Sequence, residues 1–441
     1  MNQKLLHWSR GLAVPAGFAL IILLGAGLLM LPAASAGTPL SFGEALFTAV
    51  SATCVTGLTL IDTGRRLTVL GQAILLLLIQ VGGLGFMTLA AGLFQSARRR
   101  ISLHDRLILE DTVGRGAAQT TRDMARAAVR LTFGVEGAGA LLLALRFVPR
   151  FGWAHGLWYA VFHSISAFCN AGFDLMGGGQ SLSAFVGDAF VNIVILSLIV
   201  LGGLGFIVLQ DLRRRSRLQM QTRLVLCMSA CLIAGGTALF WLIERTNPAT
   251  LAGRSFGEAL LASLFQSVTC RTAGFNTISQ AGLRDAGKLL SSVLMFIGAA
   301  PAGTGGGIKV TTAAVLLLES AAFLRGRHDA EAFGCRIPRD AVRRAVGLTF
   351  CAVLLLCLTT TVISLLEPEL AFIDILYECA SALGTAGLSC GVTAAASGLS
   401  LGILGALMYI GRVGLLSLLF LLNRRRTPEV LRRPESPLMI G

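Results

Sequence analysis

The sequence predicts an all-α membrane protein built from four tandem repeats around one pore, and three observations carry that reading. Hydrophobic residues make up 54% of the 441-residue chain and charged residues 14%, a balance that excludes an ordinary soluble globular domain. Apolar runs at 12–31, 69–94, 131–147, 190–209, 224–243, 345–366 and 399–422 are each long enough to cross roughly 30 Å of hydrocarbon. A glycine between small or apolar residues then recurs about every 110 residues, as Thr56-Gly57-Leu58, Ala171-Gly172-Phe173, Ala273-Gly274-Phe275 and Ala386-Gly387-Leu388.

Each repeat reads as a spanning helix, an outer loop, a short helix ending at the glycine motif, a second outer loop and a second spanning helix. That makes eight transmembrane helices and four re-entrant pore helices, with repeats at 1–98, 99–215, 216–325 and 326–441, the last carrying a cytoplasmic tail. The first apolar run reads as a retained helix, since it is too long and too poorly followed by a cleavage pattern for a removable leader. The stretches 42–53 and 256–269 are apolar but too short to cross, as re-entrant half-helices are. Both begin with Ser-Phe-Gly-Glu-Ala-Leu, at Ser41 and at Ser255, so Ser41 with Glu44 and Ser255 with Glu258 are predicted to form reciprocal capping boxes. Gly82-Gly-Leu-Gly-Phe86 and Gly202-Gly-Leu-Gly-Phe206 are read as close-packing faces. One second helix, in the third repeat, is predicted to be broken, because Gly298-Ala-Ala-Pro301-Ala-Gly303-Thr-Gly305-Gly306-Gly307 is intolerable in a continuous helix at about 1 kcal/mol per Gly and about 3 kcal/mol per Pro.

The net charge of +14 is a matter of topology and not a nucleic-acid footprint. With the N-terminus inside, 26 of the 37 Lys and Arg fall in inner segments, 8 in outer loops and three, Arg271, Lys309 and Arg412, within the membrane layer. This places both termini in the cytoplasm and the glycine motifs toward the outer face of a multi-pass protein in the lipid bilayer. The ten cysteines form no Cys-x-x-Cys pair and read as small buried hydrophobes.

A bare monovalent cation enters the membrane layer only where oxygens replace its hydration shell, and backbone carbonyls from four converging loops do so. The candidates are Val55-Thr56-Gly57, Asn170-Ala171-Gly172, Thr272-Ala273-Gly274 and Thr385-Ala386-Gly387. Half-helices aimed at that ring by their partially negative C-termini favour a cation.

On these residues the chain resembles the pore-forming subunits of the Trk/Ktr/HKT superfamily of potassium transporters, whose chain holds four channel-like M1-P-M2 repeats. Thr53-Cys-Val-Thr-Gly57, Arg271-Thr-Ala-Gly-Phe-Asn-Thr277, Gly384-Thr-Ala-Gly-Leu388 and Pro301-Ala-Gly-Thr-Gly-Gly-Gly-Ile-Lys309 carry the resemblance, which covers nearly all of the chain. Beginning directly with the first repeat, it is similar to Ktr-type, KtrB-like membrane subunits and not to Trk-type subunits with an extra helix pair. Gly57 at the first motif implies a potassium preference, while Cys169 and Asn170 depart from the pattern in the second.

The resemblance further implies that 298–309 is an intramembrane gating loop, with Gly298, Pro301, Gly303, Gly305, Gly306, Gly307 and Arg412 in the gate. It implies a homodimer, a pore in each protomer, and a separate cytosolic nucleotide-binding ring of KtrA/RCK type, this chain binding no nucleotide itself. The loop is no phosphate-binding loop, since Ile308 separates Gly307 from Lys309 and Val310 stands where Ser or Thr would hold magnesium.

Arg412 is the sharpest single residue, an intramembrane charge matching a family arginine just below the filter, with Glu136 a candidate partner. Arg271 is expected to brace the third motif through hydrogen bonds to carbonyls, and Asp62, Asp174 and Asn276 to lie at the outer mouth. His163 and Ser164 do not face each other on a helix, and the chain is read as holding no His-x-x-x-His or Gly-x-Ser-x-Gly motif, so no catalytic residues are predicted. The expected function is uptake of K+ in a bacterial inner membrane, with Na+ as a further ion. A less selective Na+/K+ route of the same superfamily, or a secondary transporter of another substrate, is the alternative.

Overall fold

The computed structural model describes residues 3–96, 121–213 and 218–414, and sixteen α-helices occur among them. The N-terminal group is α1 (Gln3–Leu29), α2 (Phe42–Thr53), the single turn α3 (Thr63–Arg66) and α4 (Val69–Ser96). Next come α5 (Thr121–Phe151), α6 (Trp153–Phe168), α7 (Ala189–Leu204) and α8 (Phe206–Arg213). The third group is α9 (Met220–Glu244), α10 (Phe256–Thr269), α11 (Asp285–Phe296) and α12 (Val310–Leu324). A two-stranded hairpin, β1 (Glu331–Ala332) and β2 (Cys335–Arg336), leads to α13 (Arg339–Leu366), α14 (Phe372–Gly384), the short α15 (Val392–Ala395) and α16 (Gly398–Val413). The 98/99 and 215/216 repeat boundaries, the end of the last apolar run and the basic stretch at 424–433 lie outside the described residues.

The short helices α2, α6, α10 and α14 hold the centre. From Ile375 to Gly384 nearly every side chain of α14 is buried, and α2 buries Ala45, Phe47, Thr48, Ala49, Ser51, Ala52 and Thr53. The long helices around them point leucines and phenylalanines outward: Leu141 and Leu145 on α5 and Phe350 and Leu365 on α13 are all more than 60% exposed. An apolar exterior of this extent is the surface a bilayer covers.

The boundaries of α2 and α10 coincide with the predicted half-helices. The capping box at Ser41 is complete, its amide donating to Glu44 at 2.9 Å and its hydroxyl accepting from the Glu44 amide. At Ser255 the prediction is half right. Its hydroxyl accepts from the Glu258 amide at 3.3 Å, but the return bond does not form, because the Glu258 carboxylate lies against Gly187.

The expectation of a single broken second helix needs correction. Gly85 sits inside α4 at φ 63°, ψ −173°, and Gly205, at φ 85°, separates α7 from α8 with a 97° bend. Ile297–Lys309 interrupts α11 and α12, and Gly414, at φ 89°, ends α16. The physical reason lies three residues earlier: Gly82, Gly202 and Gly411 lie against the carbonyls of Thr53, Phe168 and Leu383 with no room for a Cβ. Backbone packed that closely around the half-helix ends leaves the helix axis and turns at the next glycine. The breaks shorten the spans. Among the described residues three unbroken helices, Arg126–Phe151, α9 and α13, are long and apolar enough to cross a membrane, and the bent pair α7–α8 makes a fourth. Pro15–Leu29, Val69–Gly85, α12 and α16 are shorter apolar helices.

Candidate functional site

Each half-helix ends on a residue in the left-handed region, Val55 (φ 56°), Asn170 (59°), Thr272 (71°) and Thr385 (50°), followed two positions on by Gly57 (99°), Gly172 (70°), Gly274 (82°) and Gly387 (78°). A left-handed β-branched residue costs about 1–3 kcal/mol and persists only where its surroundings hold it, and three of the four positions carry one. The sequence flags the glycines but not their left-handed partners. The amide of the residue between each pair turns back to its own half-helix: Thr56 to Ser51 O, Ala171 to Ser166 O and Ala386 to Ser381 O at 2.8 Å, and Ala273 to Thr269 O at 2.9 Å. Hydroxyls on the same helices secure the chain beyond. Ser51 accepts from the Gly57 amide at 3.0 Å, while Ser166 and Thr269 donate to the carbonyls of Phe173 and Phe275 at 2.8 and 2.5 Å.

The four motifs close on one another. A Cβ on Gly57 would lie 2.5 Å from Ala171 O, and one on Gly172 would lie 2.8 Å from Ala273 O and 2.6 Å from the Gly274 Cα. On Gly274 it would lie 3.0 Å from Ala386 O, and on Gly387 it would collide with Thr56 O. Thr56, Ala171, Ala273 and Ala386 thus each lay a carbonyl oxygen against the glycine of a neighbouring motif, closing a ring in cyclic order. All twelve residues named from sequence belong to this assembly.

The residues named for the gate are likewise gathered, on the half-helix side of the ring. Ile297 and Ile308 form a parallel bridge that closes the loop between them. Its Ala300 and Thr304 amides donate to Gly203 O and Gly202 O at 3.0 and 3.2 Å, and the Phe206 amide donates to Ala302 O at 3.1 Å. The Gly306 amide donates to Thr385 Oγ1 at 3.0 Å, and the Thr304 hydroxyl to Phe168 O at 3.2 Å. A Cβ on Gly205 would lie 2.5 Å from Pro301 O and one on Gly303 3.0 Å from Gly203 O, while Gly298 and Gly307 press on each other across the loop. Gly305 and Gly306 lie against the hydroxyls of Thr272 and Thr385.

Arg412 grips this loop, donating to Thr304 O and also to Gly82 O. Lys309, absent from the residues named for the gate although it closes the 298–309 segment that carries the resemblance, donates to Gly305 O at 2.8 Å. Glu136 is not the partner of Arg412. Its carboxylate accepts from Gln80 at 3.1 and 3.2 Å. Arg271 also differs from expectation: its Nη2 donates to Ser229 on α9 at 3.0 Å and not to loop carbonyls, because the side chain leaves the motif away from the ring.

The residues expected at the outer mouth tie groups of helices together. Asp62 caps α3 and accepts from the Gly178 amide at 2.6 Å; Thr63 donates to Asp174 O at 2.5 Å; Leu182 donates to Asn276 O at 2.9 Å. Burial, with a smaller push from the Asp62 charge, raises the Asp174 carboxyl to about 6. His163 is buried with Nδ1 at 2.7 Å from Tyr159 O. The reading that no Gly-x-Ser-x-Gly string is present needs correction, since Gly387-Leu-Ser389-Cys-Gly391 has that spacing. Here it follows a half-helix and not a strand, and Ser389 donates to Glu378 at 2.7 Å, so the strand-to-helix context is missing.

The sequence profile of the TrkH family, described as a cation transport protein, matches residues 21–426. The chain is 38% identical over 437 residues to the potassium/sodium uptake protein NtpJ of Enterococcus hirae, covering 97% of this chain and 96% of that one. It is 36% identical over 446 residues to the Ktr system potassium uptake protein B of Bacillus subtilis, covering 100% and 99%. Its fold is similar to that of the potassium transporter TrkH from Vibrio parahaemolyticus, with a TM-score of 0.72 at 19% identity over 93% of this chain and 85% of that one. By that profile and those relatives the chain belongs to the TrkH family of cation transport proteins, which are ion transporters and not enzymes.

Proposed function

We propose that this chain is the membrane-embedded, pore-forming subunit of a potassium uptake system, conducting K+ down its electrochemical gradient. The observation that carries this reading is the ring formed by the carbonyls of Thr56, Ala171, Ala273 and Ala386, drawn together by four glycines with no space for a side chain. Such a ring replaces the hydration shell of a monovalent cation, and the C-terminal ends of α2, α6, α10 and α14 add negative potential around it. The four groups of helices then act as M1-P-M2 repeats at 1–98, 99–215, 216–325 and 326–441. The loop 298–309, held by Arg412, is the gate: with Thr304 and Gly305 tethered, it lies across the route below the ring, and conduction requires it to move.

Two ions and two partners complete the reading. Na+ is a second permeant or accompanying ion, supported by the name of the 38% identical relative, a potassium/sodium uptake protein, and a less selective Na+/K+ route is the reading that name favours next. The chain works as a homodimer under a cytosolic nucleotide-binding ring of KtrA/RCK type, in a bacterial inner membrane with both termini inside, in line with its excess of inner-segment arginines. The test is potassium-limited growth and rubidium uptake in a bacterium stripped of its own potassium systems, with the regulator of a Ktr system co-expressed. The intact chain rescues growth, and Gly57→Asp, present in the membrane in equal amount, does not. Rescue by both forms overturns the ring as the conduction site.

A further inference from the structure

Between α12 and α13 the sequence announces only a basic segment, yet the chain there folds into a hairpin with a strained tip. Strands β1 and β2 pair Glu331 with Arg336 and Ala332 with Cys335. The two-residue turn between them is Phe333-Gly334, with φ of 52° and 76°. That geometry suits Asn-Gly or Gly-Gly. A phenylalanine held in the left-handed region is strained, and about half of the surface of this one stands open, at 49% exposed. Strain of this kind, kept by an exposed aromatic side chain, directs attention to something outside the chain.

The base of the hairpin is firmly seated. Ala330 and Ile337 are buried with Ala322 against Val315 and Leu318 of α12, so the tip stands beside the last turns of that helix. Those turns are bare: Phe323 is 81% and Leu324 83% exposed, continuing the outward apolar flank marked by Leu317 at 58%. Six arginines against three carboxylates occupy 325–344. Arg325 and Arg327 are exposed, and Arg336 and Arg339 share Asp329 at 2.7 and 3.6 Å.

We propose that this hairpin and the end of α12 form an anchor for the anionic phospholipids of the inner leaflet, Phe333, Phe323 and Leu324 entering the boundary between headgroups and acyl chains while the arginines meet phosphates. Exposed apolar side chains beside a cluster of arginines are the pattern of a segment lying in a charged membrane surface. Continuity with the lipid-facing flank of α12 selects lipid over a soluble partner, which would have to bind at the edge of the hydrocarbon. The inference rests on the proposed function for the inner placement of this segment.

Two measurements on the purified full-length protein test it, and neither requires ion flux, so loss of rubidium uptake and loss of lipid contact are read separately. In the first, p-benzoylphenylalanine at position 333 is irradiated in vesicles of phosphatidylethanolamine with phosphatidylglycerol, in vesicles of phosphatidylcholine, and in native membranes. Phospholipid adducts are expected in all three, several-fold more abundant with phosphatidylglycerol; absence of lipid adducts, or adducts only to another protein in native membranes, overturns the proposal. In the second, melting of Phe333→Gly is compared with that of the parent chain. Relief of strain should raise the melting temperature of the variant in phosphatidylcholine, and loss of the lipid contact should reverse the difference in phosphatidylglycerol. A difference of the same sign in both lipids overturns it.

Discussion

At Gly57 a single added carbon decides between a ring and a collision. Because the Cβ would lie 2.5 Å from Ala171 O in a backbone at φ 99°, Gly57→Ala should reduce rubidium uptake by more than about tenfold, the cost of little more than 1 kcal/mol at the barrier. Asp174 makes a prediction of a different kind. With its carboxyl raised to about 6 by burial, the protonated form adds stability that is complete below the ordinary aspartate value of 3.8 and is lost as pH rises through about 6. Thermal melting followed from pH 5 to pH 7 should therefore show a fall of a few degrees in the parent that is absent in Asp174→Asn. Rubidium uptake should rise over the same interval in the parent alone, as the carboxylate ionises beside the proposed pore. Residue-scale legibility was uneven. Twelve ring residues could be named because glycine at a fixed interval is a strong signal, whereas the direction of Arg271 depends on which neighbour lies beside it, and no spacing encodes that.

At the scale of the element, the half-helices were readable to the residue at α2 and α10, since a capping serine opens each and a small-residue turn closes it. The second helices were not. Gly82-Gly-Leu-Gly85 and Gly202-Gly-Leu-Gly205 resemble packing faces in an apolar run, and their breaks come from carbonyls of other segments that the run itself does not mention. The two breaks should respond differently to substitution. Among the described residues Gly85→Ala meets nothing nearer than Arg412 at 3.7 Å, so its cost is that of a backbone at φ 63°, ψ −173°, a region essentially confined to glycine, about 1–3 kcal/mol. Gly205→Ala also meets Pro301 O at 2.5 Å. It should lower the melting temperature further and alter uptake by displacing the 298–309 loop, which a comparison of the two purified variants will check.

At the scale of the whole molecule, the class was legible because composition and the bias of arginines between loops act over the entire chain, and local errors cannot undo them. The same bias sets a prediction: Cys335, read from sequence as a buried hydrophobe but exposed in the hairpin, should react with a membrane-impermeant maleimide in inside-out vesicles and stay unmodified in intact cells. Contacts between groups of helices, such as Thr63 with Asp174 and Leu182 with Asn276, were beyond reach, because they join segments about 100 residues apart whose proximity arises only from the cyclic closure. That closure has one more consequence. In a channel assembled from four identical chains every substitution is felt four times over, and the lining can change only in whole steps. Here each quarter of the ring has its own codon, so Val55, Asn170, Thr272 and Thr385 are free to diverge, and the proposed grip on an ion would be adjusted one side at a time.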